Sequence, residues 1–247
     1  MNIALLGYGK MGKMIEDCII STGVDKVVLK INSANRSVVK VEELKKADVV
    51  IEFTNPGSVL DNIQWCLNAE IPIVVGTTGW YDHLEEVKKW CSGKNGGLVY
   101  SSNFSIGVNI FFELNRKLAE LMKTRPEYEP SLTEIHHSQK KDAPSGTAIT
   151  LANDLLKTSL SKKSWVNLSG SNAELKSDNP SEMIILSRRE EAIVGTHTVE
   201  YLSTTDKIQI KHEAFSRMGF ANGALAAAAW IWNNKGVYEF RDVIQGI

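Results

Sequence analysis

The sequence predicts an α/β fold: a parallel sheet with helices on both faces, joined to an α+β region with a mixed, open sheet. Three observations predict it. The first hundred residues alternate short apolar runs with helical patterns, as strands buried on both faces and linked by crossover helices do. Beyond Phe104, strand patterns follow one another with little helix between them, which points to mixed or antiparallel pairing. Hydrophobic residues make up 43% of the 247 positions and charged ones 23%, enough apolar material for a substantial core.

The elements follow in order. Apolar runs at Ile3–Leu6, Val27–Ile31, Val49–Phe53, Ile73–Val75 and Leu98–Tyr100 read as strands, and Met11–Ile20, Ser58–Leu67 and Tyr81–Trp90 as helices. A helix over Ile106–Met122 leads through the Pro-flanked connector Arg125–Pro130 to a strand at Leu132–His136, and a second helix begins near Ser145. Segments 183–187, 196–202 and 207–213 alternate: His197, Val199 and Tyr201 share one face, as do Ile208, Ile210 and His212. The polar stretch Ser159–Ser181 reads as a surface loop, and Gly219–Trp232 as an alanine-rich helix able to pack closely. This places one domain at 1–104 and 217–247 and a second at 105–216.

A net charge of −1 with interspersed signs offers no basic footprint for nucleic acid. No apolar run reaches membrane-spanning length, and the N-terminus lacks the basic flank of a signal peptide. The three cysteines, Cys18, Cys66 and Cys91, read as free thiols of a reducing compartment. A cytoplasmic protein is expected.

Gly7-Tyr8-Gly9-Lys10-Met11-Gly12 stands between the first strand and the first helix. The first glycine permits the tight turn, the second lets backbone approach a pyrophosphate, and the third allows close helix–sheet contact. The domain is therefore expected to be Rossmann-type and to bind a nicotinamide dinucleotide. After the second strand the usual acidic residue is missing: Lys30-Ile31-Asn32-Ser33-Ala34-Asn35-Arg36 offers Ser33 and Arg36, which accommodate a 2′-phosphate. That favours NADPH, with NADH open. Gly76, Thr77 and Thr78, and Ser101, Ser102, Asn103 and Phe104, lie at the ends of later parallel strands, where ligands of such sheets bind.

The densest chemistry lies in Glu134-Ile135-His136-His137-Ser138-Gln139-Lys140-Lys141-Asp142-Ala143-Pro144-Ser145-Gly146-Thr147-Ala148. Pro144 and Ser145 start a helix, whose N–H groups around Ser145, Gly146 and Thr147 face an anion. Lys140 adds positive charge, and His136 and His137 titrate near neutrality, at about 6.5 unperturbed. These groups suit a small dicarboxylate that must be protonated. Adjacent strand residues point to opposite faces, so His136-His137 chelates one ion poorly, and no metal is expected.

This run is similar to the E-(L/I/A)-H-H-x-x-K-x-D-A-P-S-G-T-A signature of the dihydrodipicolinate reductase family. The resemblance spans nearly the whole chain, including Gly76-Thr77-Thr78-Gly79, Ser102-Asn103-Phe104-Ser105, Ile193-Val194-Gly195 with His197, and Phe220-Ala221-Asn222-Gly223-Ala224. It implies reduction of the cyclic imine derived from 4-hydroxy-tetrahydrodipicolinate to tetrahydrodipicolinate, with hydride from NADH or NADPH, in lysine biosynthesis by the diaminopimelate route. By motif position it implies His136 as proton donor or acceptor and Lys140 as a donor that neutralises developing charge. His137, Ser145, Gly146 and Thr147 would hold substrate, and Arg217 is a further candidate. Gly7 to Gly12, Ser33, Arg36, Gly76 to Thr78 and Ser101 to Phe104 would hold the cofactor. The resemblance also implies a homotetramer assembled through the second domain's sheet. The sequence departs from the family in a glycine turn one residue shorter, in the missing acid, in Glu191 where glycine is frequent, and in Thr196 where glutamate is common. A semialdehyde dehydrogenase, the main rival, would need a reactive cysteine beside a base.

Overall fold

The computed structural model describes residues 1–169, 177–244 and 246. The chain divides into two compact units, Met1–Ile106 with Met218–Ile247, and Gly107–Arg217.

The first unit is built from β1 (Asn2–Leu6), α1 (Lys10–Thr22), β2 (Lys26–Ile31), α2 (Val41–Leu44), β3 (Val49–Glu52), α3 (Val59–Asn68), β4 (Ile73–Val75), α4 (Leu84–Gly93) and β5 (Gly97–Tyr100). Its strands form one parallel sheet, which residues near the C-terminus complete with a sixth strand. Alternation sends Ile3, Leu5, Val49, Ile51, Val74 and Val99 to one face, and Ala4, Leu6, Val50, Ile73, Val75 and Leu98 to the other. Both sets are buried, each Val, Leu or Ile side chain contributing about 1.5–3 kcal/mol. Neighbours run in the order β5, β4, β3, β1, β2. The chain therefore reverses direction across the sheet between β1 and β3, and the glycine turn after β1 sits at that switch point.

The second unit begins with α5 (Ile106–Met122), followed by β6 (Glu129–His136), α6 (Gly146–Thr158), β7 (Ser164–Ser169), β8 (Glu182–Arg189), β9 (Gly195–Leu202) and β10 (Lys207–Ala214). The strand order is β10, β9, β6, β8, β7: β6 runs parallel to β8 and β8 to β7, while β9 is antiparallel to both β6 and β10. The sheet is mixed, as expected. Leu132, Met183, Ile185, Val199 and Tyr201 pack with Phe111 and Phe112 of α5 and Leu151 and Leu155 of α6. Glu134 and His136 follow Leu132 at intervals of two, so they belong to the same, helix-covered face.

The chain then returns to the first unit with α7 (Met218–Trp232), β11 (Gly236–Glu239), which pairs with β5, and α8 (Phe240–Ile244). The small residues of α7 permit close approach: a Cβ on Gly223 would stand 1.7 Å from the Phe104 carbonyl oxygen.

The structure corrects several readings. The stretch Ser159–Ser181 is not a simple loop, because Ser164–Ser169 pairs in parallel with β8. It is a half-exposed strand with polar ends, so its alternation is faint; residues 170–176 lie outside the described part. β6 starts at Glu129, inside the expected connector, with Pro130 at its second position, one that strand starts tolerate. The short α2, β11 and α8 carry too few residues to show a period.

Candidate active site

In the first unit, the glycine turn shows which of its glycines serve the fold. Gly7 has φ +98°, and a Cβ there would lie 1.9 Å from the Phe53 carbonyl oxygen. On Gly12 a Cβ would lie 2.6 Å from the Gly7 carbonyl oxygen. Gly9 differs: its φ is −96° and nothing lies within 4 Å of its Cβ position. No protein neighbour requires glycine there, so the open side is the one a ligand would use. The N-terminus of α1 has no side-chain cap and no acidic residue in its first turn, which leaves its positive end available to an anion. A pyrophosphate fits this cradle.

Other residues assigned from sequence to the cofactor divide by exposure. Lys10, Thr78 and Ser102 are exposed and Met11 is half-buried. The Tyr8 hydroxyl donates to Glu16, which also pairs with Lys30 at 2.6 Å. Thr77 accepts from the Thr54 backbone at 2.8 Å, Ser101 donates to the Asn103 carbonyl at 2.7 Å, and Phe104 packs on Phe240 at 4.8 Å. These side chains hold the strand ends in shape. Gly76 is forced by packing, since its Cβ would stand 2.0 Å from the Phe53 ring.

Arg36 and Ser33 lie in the turn after β2, which Asn32 closes by accepting the N–H groups of Ala34 and Asn35. Ser33 is exposed. The Arg36 guanidinium lies 3.6 Å from the centre of the Trp65 ring, and its Nε donates to Asn62 Oδ1 at 3.2 Å. Asn62 in turn faces Glu52 and Thr54. Glu52 is fully buried, and burial pushes its carboxyl up despite donors from Thr54, Thr77 and Asn62. Sequence reading missed Asn62, Trp65 and Glu52: the first two lie within a helix that reads as ordinary packing.

In the second unit, Glu134 is the centre. It is fully buried and lies in register between Ser187 of β8 and His197 of β9. Its Oε1 accepts from Ser187 Oγ at 2.8 Å and stands 3.6 Å from Arg189. Its Oε2 accepts from the Ser145 backbone N–H at 3.0 Å. His136 Nδ1 lies 3.6 Å from the same oxygen and His197 Nε2 3.8 Å. These distances are too long for hydrogen bonds but short enough for a strong field in a buried site. Burial pushes the Glu134 carboxyl up, but its donors and His136 outweigh that, and it ends below the usual range. Burial pushes His136 down against the pull of Glu134, and carries His197 down to about 3. The cluster at pH 7 is thus one carboxylate beside two neutral imidazoles.

Ser145 caps α6, its Oγ accepting from Ala148 N at 3.2 Å. The same hydroxyl lies 3.1 Å from His197 Nε2, so the cap is hydrogen-bonded to the imidazole as well as to the helix. Gly146 has open space at its Cβ position, so the helix start is accessible beside the cap. Lys140 Nζ pairs with both Asp142 oxygens at 2.7 and 2.9 Å. Arg189, also missed, clamps this loop by donating to the Lys140 and Asp142 carbonyls. Arg217 donates to His137 Nε2 at 3.3 Å. The structure therefore gathers His136 and Ser145 around Glu134, and pairs Lys140 and His137 with neighbours that no sequence spacing indicated.

Glu134, His136 and His197 place three ligand atoms within 4.8 Å of one another, a juxtaposition the sequence reading did not foresee. The donors of Ser145 and Ser187 already engage the carboxylate, the Ser145 hydroxyl engages His197, and Arg189 stands beside it, so the donor set fits a cation poorly. The cysteines are all buried, and burial pushes the Cys66 thiol up, the reverse of what a nucleophile requires. Among the described residues no helix is long and apolar enough to cross a membrane.

Comparisons with known proteins show the family and the fold. Residues 1–104 match the family described as dihydrodipicolinate reductase, N-terminus, and residues 107–244 its C-terminus. A 4-hydroxy-tetrahydrodipicolinate reductase of Christiangramia forsetii is 43% identical over 250 residues, covering 100% of this chain and 99% of that protein. One from Campylobacter jejuni subsp. doylei is 30% identical over 241 residues, covering 97% and 94%. The solved dipicolinate-bound dihydrodipicolinate reductase from Paenisporosarcina sp. TG-14 shares the fold, with a TM-score of 0.75 at 20% identity over 98% of this chain and 99% of that one. The chain belongs to the dihydrodipicolinate reductase family.

Proposed function

We propose that this chain reduces the cyclic imine derived from 4-hydroxy-tetrahydrodipicolinate to tetrahydrodipicolinate, using NADPH or NADH, in cytoplasmic lysine biosynthesis by the diaminopimelate pathway. Family membership supports the reaction. The observation that carries the site assignment is the pairing of His136 with an accessible helix start around one buried carboxylate.

When bound at the glycine turn, the reduced nicotinamide supplies a hydride. Hydride addition to a conjugated imine leaves electron density on the ring, which a proton must quench. His136 is neutral in the free protein. A dicarboxylate arriving beside it adds negative charge, which raises the imidazole pKa and loads the proton it then delivers. Lys140 leaves Asp142 for a substrate carboxylate, exchanging one charge-assisted contact for another. Gly146 and Thr147 offer N–H groups to the other carboxylate, with Ser145 fixing their direction and His137 with Arg217 supplying further donors. Arg36 and Ser33, in a turn after β2 that carries no acidic residue, favour NADPH over NADH. A homotetramer assembled through the second unit's sheet belongs to the same reading, supported by exposed Leu202 and Ile208 on β9 and β10.

An assay coupled to the upstream synthase tests the reaction: reduced-nicotinamide absorbance falls only when substrate is present. His136→Gln and Lys140→Ala each lower kcat by roughly 10²–10⁴, and normal turnover in both sinks the assignment. Light scattering tests the tetramer.

A further inference from the structure

We propose that Glu134 is the positioning residue of this reaction: one buried carboxylate that ties His136 to the N-terminal turn of α6. This inference rests on the reading above and adds a role which that reading leaves unassigned.

The geometry is specific. Strand alternation places Glu134 and His136 on one face of β6, and the register sets Ser187 and Arg189 beside them on β8 and His197 on β9. The two carboxylate oxygens divide the work. Oε1 is held by Ser187 and faces Arg189, which fixes the plane of the group. Oε2 accepts the Ser145 N–H and faces His136 Nδ1, so a single atom touches the helix start and fields the imidazole. His136 Nδ1 is buried with no hydrogen-bond partner, and its ring is bounded on the other side by Gly195, where a Cβ would stand 3.2 Å from Nε2. The ring is thus held by packing, and its affinity for a proton is governed by the charges around it. Those are Glu134 on its own strand, Lys140 and Asp142 on the following loop and Arg189 on β8, while the neutral His197 ring on β9 lies 5.0 Å away.

A carboxylate this deeply buried is costly unless every oxygen is engaged. A stability role alone would be served as well by an apolar residue. The position instead has one consequence an apolar residue cannot have: proton affinity at His136 and donor geometry at Ser145 depend on the same oxygen. Substrate binding and proton delivery are set together.

Glu134→Gln separates the two functions, because it retains an oxygen for the Ser145 N–H and removes the charge. The expected result is a KM within about threefold of the parent, with kcat lowered at least tenfold. The fall of kcat/KM with rising pH should begin at lower pH, since the charge that favours protonated His136 is gone while Lys140 and Arg189 remain. Glu134→Ala should raise KM as well. If Glu134→Gln does not fold, Ser187→Ala decides: it keeps the charge but removes the donor to Oε1, so the carboxylate pulls harder on the His136 proton and the fall of kcat/KM should begin at slightly higher pH. Parent-like kcat and an unmoved pH profile in whichever variant folds overturn the proposal, as does a loss of activity that follows thermal stability with the profile unmoved. His136→Gln is measured alongside. Normal turnover there defeats the reaction reading itself, whereas an inactive His136→Gln beside a normal Glu134→Gln defeats only the role of Glu134.

Discussion

Each unit presents a helix N-terminus after a strand, and the two are built in opposite ways. At α1 the protein removes side chains: glycine at three positions, no cap and no acid. At α6 it adds them: Ser145 caps the turn, Glu134 anchors its backbone, and His197 anchors the cap. A pyrophosphate has no proton to receive, so backbone N–H groups suffice for it. A substrate that must be both held and protonated needs a turn whose donors are locked to a proton-bearing group. In the proposed function the bare cradle serves binding, and the furnished one serves chemistry.

The comparison breaks first at the glycines. Gly7→Ala meets both a positive φ and the Phe53 carbonyl. It should destabilise the first unit by on the order of 4 kcal/mol and abolish dinucleotide binding. Gly146→Ala meets nothing in the protein. Its thermal unfolding should match the parent's, while KM for the dicarboxylate rises severalfold because the new methyl enters the anion's approach. Calorimetry and steady-state kinetics on the two variants check this. Equal Tm losses would show that both glycines serve the fold alone.

The second test uses pH, to which a buried titratable group in each unit, Glu52 and His197, responds with opposite sign. His197 has a folded pKa of about 3 against about 6.5 unfolded. Between these values the unfolded chain takes the proton. Its contribution to stability is therefore complete above about pH 6.5 and is lost as pH falls toward 3. From pH 7 to pH 4 the loss is about 3 kcal/mol, and His136, also lowered, acts in the same direction. Glu52 in the first unit is raised by burial, so its contribution is present at low pH and fades as pH rises through its folded value. Acid should thus loosen the second unit selectively. Hydrogen exchange of unit-specific peptides, corrected for intrinsic rates, measures it, and parallel loosening of both units would contradict the assignment of the buried histidines.

The same contrast explains what the sequence made legible. The first unit's sheet apart from β11, its order of alternation and its glycine turn follow from local rules, since β1 to β5 are apolar runs and Gly7 and Gly12 mark their own backbone need. In the second unit the fifteen-residue run names His136, Lys140 and Ser145, but not what holds them. Ser187 lies 53 residues from Glu134, and His197 lies 52 from Ser145. Only strand register joins them, and register cannot be read from one strand at a time. Glu134 itself stood in the run without a role, because a carboxylate at a strand end looks solvated until its burial is known. The ion pair of Lys140 with Asp142 was hidden for a different reason: two residues apart in a loop, their contact depends on a backbone path that Arg189 imposes from another strand.

Arg36 is where the first unit departs from its own rule, and it gives the finest test. Its guanidinium lies 3.6 Å from the centre of the Trp65 ring and is held at Nε by Asn62, so its position is fixed before any cofactor arrives. If backbone alone recognises the cofactor, Arg36→Ala changes NADH and NADPH binding equally. If Arg36 reads the 2′-phosphate, the variant weakens NADPH by roughly ten- to a hundredfold, the worth of one or two charge-assisted contacts, and leaves NADH unchanged. Asn62→Leu should give a smaller loss in the same direction, because stacking on Trp65 persists while the Nε anchor is gone. Dissociation constants for both nucleotides, taken by fluorescence titration on the three proteins, separate these outcomes. An NADH preference in the parent would show that a furnished side chain in this unit serves the turn after β2 and not the cofactor.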